Sequence, residues 1–232
     1  MTIIEYHKIG SPPPGWNPRQ GWKPLWYTPE KVFVSHLAHL RENGWRVIDL
    51  ADFLEGLDTP GFPSERLALL TFDDAYRSLR KVALPRLCEF GYPGVVFVPT
   101  EFIGGRNDFD RGTEPEEDIC TWEDLRELNE CGVSVQSHGV SHFFGLEEAQ
   151  LSEEFSRSKE LLESRLGISV DALAYPYGRA GTNLQRTKQL LREVGCRVAF
   201  ASEGGRLTAQ FDRYFLNRLA ILPKTDLGTE LA

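Results

Sequence analysis

Two neighbouring aspartates follow directly on a nearly continuous apolar segment. Asp73 and Asp74 come after residues 67–72, which have the composition of a strand buried on both faces of a parallel sheet. At least one carboxylate must therefore lie at the carboxyl end of that strand, where barrel enzymes place their reactive groups. Two buried carboxylates without a counterion would be very costly, and a bound divalent cation would stabilise their ionised forms. Taken alone, the pair is equally compatible with a helix cap.

Two of the five histidines lie four residues apart, again just after a predicted strand. His138 and His142 can face one point if the segment turns helically after its strand. An isolated histidine is more often a satisfied polar residue than a ligand. Together with Asp74, however, this pair would supply two nitrogens and one oxygen, the ligand set of a catalytic zinc site that keeps one position open for water.

A third strand end carries the segment Ala-Tyr-Pro-Tyr-Gly at residues 174–178. Its proline removes a donor, and its glycine permits a tight turn with backbone N–H groups exposed. Those donors could stabilise an oxyanion. Considered in isolation, the segment is more simply a turn.

Strands and helices alternate along the chain and must position these groups. Apolar periodicity predicts strands at 3–6, 45–50, 67–72, 94–98, 133–136, 172–175 and 197–201, followed by a last apolar segment at 216–222. It predicts helices at 28–44, 121–131, 152–166 and 184–194, and one that ends at residue 90. Alternation of this kind means a parallel sheet, and polar residues placed repeatedly at strand carboxyl ends favour a closed barrel. We therefore expect about seven strand–helix units, and residues 1–232 as one domain.

Two segments interrupt the alternation and are predicted loops. Residues 10–27 are rich in proline and tryptophan, and residues 104–118 are rich in aspartate and glutamate. The acidic loop is predicted to be a solvated surface excursion, with a role at the rim of a substrate site as the alternative. Four tryptophans could stack on sugar faces, although ordinary packing is the more frequent outcome for any one of them: Trp16, Trp22, Trp26 and Trp122.

Composition argues against several classes of partner. A net charge of -8 provides no cationic surface for nucleic acid or anionic lipid, and no segment has the apolar length of a membrane span. The start of the sequence lacks the features of a secretory signal, so we expect a cytoplasmic protein. The four widely spaced cysteines are predicted to be free thiols. Nothing in the sequence indicates the oligomeric state.

The three motifs, in this order, resemble those of the NodB-homology polysaccharide deacetylases, carbohydrate esterase family four. The segments that carry the resemblance are Thr71-Phe72-Asp73-Asp74, His138-x-x-x-His142 and Tyr175-Pro176-Tyr177-Gly178. Residues 5–9 (Glu-Tyr-His-Lys-Ile) and 40–45 also look like the N-terminal part of its poly-N-acetylglucosamine deacetylase branch, so the likeness covers residues 1–222.

The resemblance implies an α/β fold, a distorted (β/α)7 barrel with parallel strands. It implies Asp73 as the general base and the Tyr177 backbone N–H as an oxyanion donor. It further implies Asp74, His138 and His142 as ligands of one divalent metal ion, with zinc expected and cobalt, nickel or iron as alternatives.

Three positions depart from the family pattern. Gly139 stands where many members have serine or threonine, so Ser141 is a candidate to supply the missing hydrogen bond. Ala174 stands where many members have an arginine that orients the catalytic aspartate, so Arg179 or Arg218 would have to assist.

The third departure concerns the general acid. The C-terminal Leu-x-His of the family is missing, since residues 216–219 read Leu-Asn-Arg-Leu. His7, at the end of the first predicted strand, is the candidate replacement because the related branch carries this motif near the N-terminus. A purely structural hydrogen-bonding role is the alternative for His7.

These residues predict a metal-dependent hydrolase that removes an N-acyl group, expected to be acetyl, from an amino sugar in an oligosaccharide, polysaccharide or sugar conjugate. The alternative within hydrolases is a deformylase or deacylase of a nucleotide-linked or lipid-linked sugar. Two histidines and one carboxylate also describe non-haem iron oxygenases. The missing arginine and C-terminal histidine leave a catalytically silent glycan-binding barrel as a further reading.

Overall fold

The structure, a computed structural model, describes residues 1–14, 26–63, 66–143, 146–202, 204–208 and 210–231. The strands within these ranges are β1 Thr2–Tyr6, β2 Lys8–Ile9, β3 Tyr27–Thr28, β4 Arg46–Val47, β5 Leu67–Phe72, β6 Gly94–Val98, β7 Val133–Ser137, β8 Ala172–Ala174, β9 Val198–Phe200 and β10 Leu219–Ala220. The helices are α1 Glu30–Glu42, α2 Leu50–Gly56, α3 Leu84–Phe90, α4 Trp122–Glu130, α5 Glu148–Leu166, α6 Leu184–Glu193 and α7 Leu227–Glu230.

Most of the strands form one parallel sheet that curls on itself. Its order across the described residues is β10-β1-β5-β6-β7-β8-β9, with β4 beside β5. The segment 216–220 contacts both β1 and β9. Leu219 pairs with Ile4 in β1, and the N–H of Leu216 donates to the carbonyl of Ala199 in β9 at 2.9 Å. The expected distorted barrel of parallel strands is confirmed.

Alternation along β1 and β5 divides the apolar residues between two cores. Ile3 and Leu69 pack in one core with Phe97, whereas Ile4 and Leu70 pack in another with α1, α3 and α4. Both faces of these strands are buried, which explains their nearly continuous apolar composition. Because side chains alternate with period two, Glu5, His7 and Asp73 belong to the same face as Ile3 and Leu69.

Two predicted element boundaries were wrong. The segment 45–50 is extended only at β4, because Asp49 then caps α2 by accepting a hydrogen bond from the N–H of Asp52 at 2.8 Å. Thr28 does not cap α1, because it belongs to β3 and Pro29 occupies the cap position. Thr121, by contrast, caps α4 as predicted.

Two further expectations can be compared with the structure. The cysteines are free thiols, with Cys120 and Cys196 buried and Cys88 and Cys131 exposed. None of the helices in the described ranges combines the length and apolar character needed to cross a bilayer.

Candidate active site

The two aspartates after β5 diverge because the backbone turns left-handed. Asp73 still continues the strand, and its N–H donates to the carbonyl of Tyr6 at 2.9 Å. Asp74 has φ 68° and Ala75 has φ 53°, values that non-glycine residues rarely adopt. Both carboxylates are buried, and they contact an arginine and two imidazoles, respectively, rather than capping a helix.

Arg218 is the cation that faces Asp73. Its Nη1 and Nη2 donate to the two carboxylate oxygens of Asp73, each at 2.7 Å, in a bidentate pair. The guanidinium is fully buried, and its Nε donates to the carbonyl of Ala201 at 3.0 Å. Of the two arginines suggested by the sequence, the structure therefore places Arg218 beside Asp73. Arg218 supplies the positive charge that the alanine at position 174 cannot supply.

The predicted metal ligands Asp74, His138 and His142 come together. Oδ1 of Asp74 lies 3.4 Å from Nε2 of His138 and 3.0 Å from Nε2 of His142. The Nδ1–H of His138 donates to the carbonyl of Ala174 at 2.8 Å, which fixes the ring so that its other nitrogen, Nε2, faces Asp74. One potential ligand atom from each of the three residues lies within 4.8 Å of the other two.

The segment from His138 to His142 is not the helical turn that the spacing suggested. Gly139 has φ 77° and His142 has φ 53°, so a loop with two left-handed residues brings the imidazoles together. The N–H groups of Val140 and Ser141 donate to the carboxylate of Glu154 in α5. The hydrogen bonds that hold this loop therefore involve a helix residue that sequence reasoning missed.

The third motif forms a tight turn after β8. Tyr177 is left-handed at φ 57°, and its ring is half-exposed and lies 4.7 Å from that of His142. Gly178 has φ 69°, and a Cβ there would lie 2.5 Å from the Cβ of Ser202, so only glycine fits. Tyr177 consequently lines the pocket as predicted, while its role as an oxyanion donor stays a prediction.

His7 forms a second cluster with Glu5 and Asp73, in which one potential ligand atom of each residue lies within 4.8 Å of the other two. Its ring stacks on Trp26 with centroids 4.5 Å apart, and its Nε2 is 3.7 Å from Oε1 of Glu5. Sequence reasoning missed Glu5, which also accepts a hydrogen bond from Ser202 at 2.9 Å and lies 3.5 Å from Arg218. The period-two spacing of Ile3, Glu5 and His7 on one strand was a signal that could have revealed it.

The candidate site forms one pocket of about 190 Å³. It is lined by Glu5, His7, Trp26, Asp73, Asp74, Asp110, His138, His142, Tyr177, Gly178 and Ser202. The prediction of a solvated acidic loop was wrong for two of its members. Asp110 lies at the pocket, and Glu114 is buried against Lys8. Trp122 packs instead against the core that contains Ile4 and Leu70, and Trp16 and Trp22 lie outside the described residues.

Burial and neighbouring charges set the protonation of the two aspartates. Burial raises the pKa of Asp73, but the Arg218 charge and its hydrogen bonds outweigh this and hold it below its usual range. Burial likewise raises the pKa of Asp74, but the imidazoles of His142 and His138 outweigh it and hold it well below its usual range. Both carboxylates are therefore ionised at neutral pH.

The other titratable groups respond differently. Burial raises the pKa of Glu5 to about 7 despite the Arg218 charge. Burial lowers the pKa of His7. Burial also disfavours the charged form of His138, yet the carboxylates of Asp73 and Asp74 outweigh it and raise the pKa of this imidazole. The pocket thus combines two ionised carboxylates, Asp73 and Asp74, with a third carboxyl group, Glu5, whose pKa burial raises to about 7.

Comparison with known proteins identifies the family. The sequence profile described as "Polysaccharide deacetylase" matches residues 61–199, more than half of the chain. The chain belongs to the polysaccharide deacetylase family. The matched region contains Asp73, Asp74, His138, His142 and Tyr177, whereas His7 and Arg218 lie outside it.

Relatives and solved structures extend the similarity to nearly the whole chain. YxkH of Bacillus subtilis (strain 168), whose name gives its polysaccharide deacetylase assignment as provisional, is 26% identical over 96% of this chain and 72% of its own length. The poly-beta-1,6-N-acetyl-D-glucosamine N-deacetylase of Staphylococcus aureus (strain MSSA476) is 21% identical over 83% of this chain and 67% of its own. The Streptococcus pyogenes deacetylase PplD, solved with acetate, has the same fold: TM-score 0.83, 22% identity, 100% of this chain and 98% of that one.

Proposed function

We propose that this protein is a metal-dependent hydrolase that removes the N-acetyl group of an amino sugar within an oligosaccharide or polysaccharide. The observation that carries the proposal is the meeting, in one pocket, of the Asp74, His138 and His142 ligand atoms with the Asp73–Arg218 pair. Family membership supports the reaction class, and the Staphylococcus aureus relative's name suggests poly-β-1,6-N-acetylglucosamine as a first substrate.

The residues of the proposed metal site fit a divalent ion. Oδ1 of Asp74, the atom that faces both imidazoles, is buried, and among the described residues it has no well-aligned hydrogen-bond partner. Two imidazole nitrogens and one carboxylate oxygen suit zinc, with cobalt, nickel and iron as alternatives for reconstitution. A bound divalent ion would supply Lewis acidity to the acyl carbonyl and lower the pKa of water.

The chain's own residues would move the protons. Asp73, kept ionised by Arg218, accepts the proton of the attacking water as general base. The N–H of Tyr177 donates to the oxygen on which negative charge develops. His7, which clusters with Glu5 and Asp73, donates a proton in its protonated form to the leaving amine, which is too basic to depart unprotonated.

The structure weakens the competing hypotheses. A silent glycan-binding barrel was suggested partly by the missing arginine, and Arg218 contacts Asp73 from the segment just before β10. An oxygenase needs no carboxylate paired with a cation beside its ligands. A deformylase or deacylase of a nucleotide-linked or lipid-linked sugar remains the alternative within hydrolases, because it would use the same groups.

The test is acyl release by the chelated protein after each divalent metal is added back singly. The substrates would be oligomers of β-1,6-N-acetylglucosamine, chitin oligomers and N-acylated nucleotide sugars, with acetate and formate measured separately. Metal-restored acetate release from the oligomers supports the proposal. Release from nucleotide sugars alone would favour the alternative, and no release by metal-loaded protein from any substrate would contradict both.

A further inference from the structure

The loop between β7 and α5 carries two of the three proposed metal ligands, and Glu154 contacts its centre. One carboxylate oxygen, Oε2, accepts hydrogen bonds from the N–H of Val140 at 2.7 Å and the N–H of Ser141 at 2.9 Å. These two residues lie between His138 and His142. A single side-chain atom therefore fixes two of the four peptide groups that link the ligands.

The opposite side of the same loop is held by backbone groups. The carbonyls of Gly139 and Val140 accept hydrogen bonds from the N–H groups of Thr100 and Glu101, both at 3.1 Å. The loop is thus held between the segment after β6 and helix α5. The contacts of Thr100 and Glu101 are made by backbone groups, whereas those of Glu154 are made by its side chain and can be removed by a substitution.

Helix α5 also reaches the loop one turn further along. Ser158, four residues after Glu154, hydrogen-bonds to the Ser137 hydroxyl, which accepts the N–H of Gly139 at 3.1 Å. Residues four apart lie on the same helix face. One face of α5 therefore contacts the start of the loop through Ser158 and its middle through Glu154.

The close approach of this carboxylate explains the glycine at position 139. A Cβ there would lie 3.1 Å from Oε2 of Glu154, and φ 77° disfavours any other residue. The lack of a side chain at position 139 therefore leaves room for the Glu154 carboxylate.

We propose that Glu154 is a positioning residue for the metal site, an inference that rests on the proposed metal-dependent function. His142 has a left-handed backbone at φ 53°, and such a conformation persists only where surrounding contacts enforce it. Glu154 provides that enforcement through the two preceding residues. It keeps Nε2 of His142 directed toward Asp74 and His138. This lowers the free-energy cost of bringing the three ligands together when the metal binds.

The experiment compares zinc affinity in Glu154→Ala, Glu154→Gln and the control Glu153→Ala. Glu153 is the adjacent residue on α5, but it is exposed and pairs with Arg157 on its own helix at 2.9 Å. Each full-length protein is stripped of metal, and the Kd for zinc is measured by competition with a chromophoric chelator. Unfolding temperatures of the metal-free proteins are recorded in parallel.

We expect Glu154→Ala to weaken zinc binding by about 10-fold to 100-fold, the range found when groups that orient metal ligands are lost. Glu154→Gln retains an oxygen that can accept both N–H groups and should bind zinc within about twofold of the parent, as should Glu153→Ala. The rescue by glutamine separates positioning of the loop from a general effect of charge.

Unchanged zinc affinity in Glu154→Ala, or a glutamine variant as weak as the alanine variant, would overturn the proposal, and so would a parent protein that binds no zinc. If the alanine variant does not fold, Glu154→Asp replaces it, because its shorter side chain cannot reach both amides and should also weaken zinc binding. No sugar is used, so a protein that binds zinc through Glu154 but releases no acetate would contradict the proposed function alone.

Discussion

The two halves of the pocket hold their carboxylates ionised in different ways. Asp73 is paired with a permanent cation of the protein, because both its oxygens accept hydrogen bonds from Arg218. Asp74 instead faces the two imidazoles of His138 and His142, which carry charge only when protonated. After the roles proposed for them, we call Asp73, Arg218, Glu5 and His7 the proton-transfer half, and Asp74, His138 and His142 the metal half.

The difference shows what each half can do unaided. The proton-transfer half has its compensating charge built in, so it is complete without a ligand. The metal half has three ligand atoms converging on one point, and a shared cation would satisfy all of them at once. Damage to one half should therefore leave the other measurably intact.

The largest effect is expected from Asp73→Asn, which removes the proton acceptor but preserves the shape of the side chain. We expect kcat to fall by about 10²-fold to 10⁴-fold, the usual contribution of a general base. Zinc affinity should stay near that of the parent, because Asp74, His138 and His142 are unchanged. Turnover near the parent level, or loss of zinc together with turnover, would contradict the separation of the two halves.

Arg218→Met should lower the free energy of unfolding and also shift the pH–rate profile. Leaving a buried Asp73 without its partner should cost about 3–5 kcal/mol of unfolding free energy. Arg218 now holds the pKa of Asp73 below its usual range, so without it burial raises that pKa and the carboxylate protonates at higher pH. The acidic limb of the pH–rate profile should therefore move to higher pH.

Arg218→Lys is the milder variant for that experiment. It keeps one charge but loses the bidentate geometry, so the acidic limb should shift in the same direction by less. A profile that stays in place in both variants would show that Arg218 does not control the ionisation of Asp73.

Metal removal should destabilise the parent protein through the metal half alone. Zinc at about 100 times its Kd adds roughly 2.7 kcal/mol, because it binds the folded state. For a chain of this length that corresponds to a rise in Tm of about 5–10 °C. His142→Ala is the control and should show little zinc-dependent shift, whereas an equal shift in both proteins would place the zinc elsewhere.

The smallest effect is expected at the stack between Trp26 and His7. Trp26→Ala removes an aromatic contact worth about 0.5–1.5 kcal/mol, so kcat/KM should fall by about tenfold or less. Trp26→Phe should recover most of the loss because it retains an aromatic face. Zinc affinity measured on both variants should equal that of the parent, since Trp26 contacts the proton-transfer half.

The metal half was more predictable from sequence because its residues follow strands in short motifs. Asp74, His138 and His142 were recognised in that way, although the helical turn proposed for the histidines was wrong. The proton-transfer half takes residues from both ends of the chain. Glu5 lies in the segment 5–9 that carries part of the resemblance, but sequence reasoning assigned it no role, and sequence could not choose between Arg179 and Arg218.

The amino-acid sequence by itself determined the alternation of strands and helices, the parallel barrel and the strand ends at which reactive residues accumulate. Those features follow from local periodicity and from the rule that parallel strands end at a common edge. Only the tertiary structure decided which distant groups meet there. Pairing of β1 with both β5 and β10 brings Glu5, Asp73 and Arg218 together. Packing of α5 brings Glu154 to the loop between β7 and α5, which carries His138 and His142. Contacts between residues so far apart in the chain depend on register and packing, which local sequence does not encode.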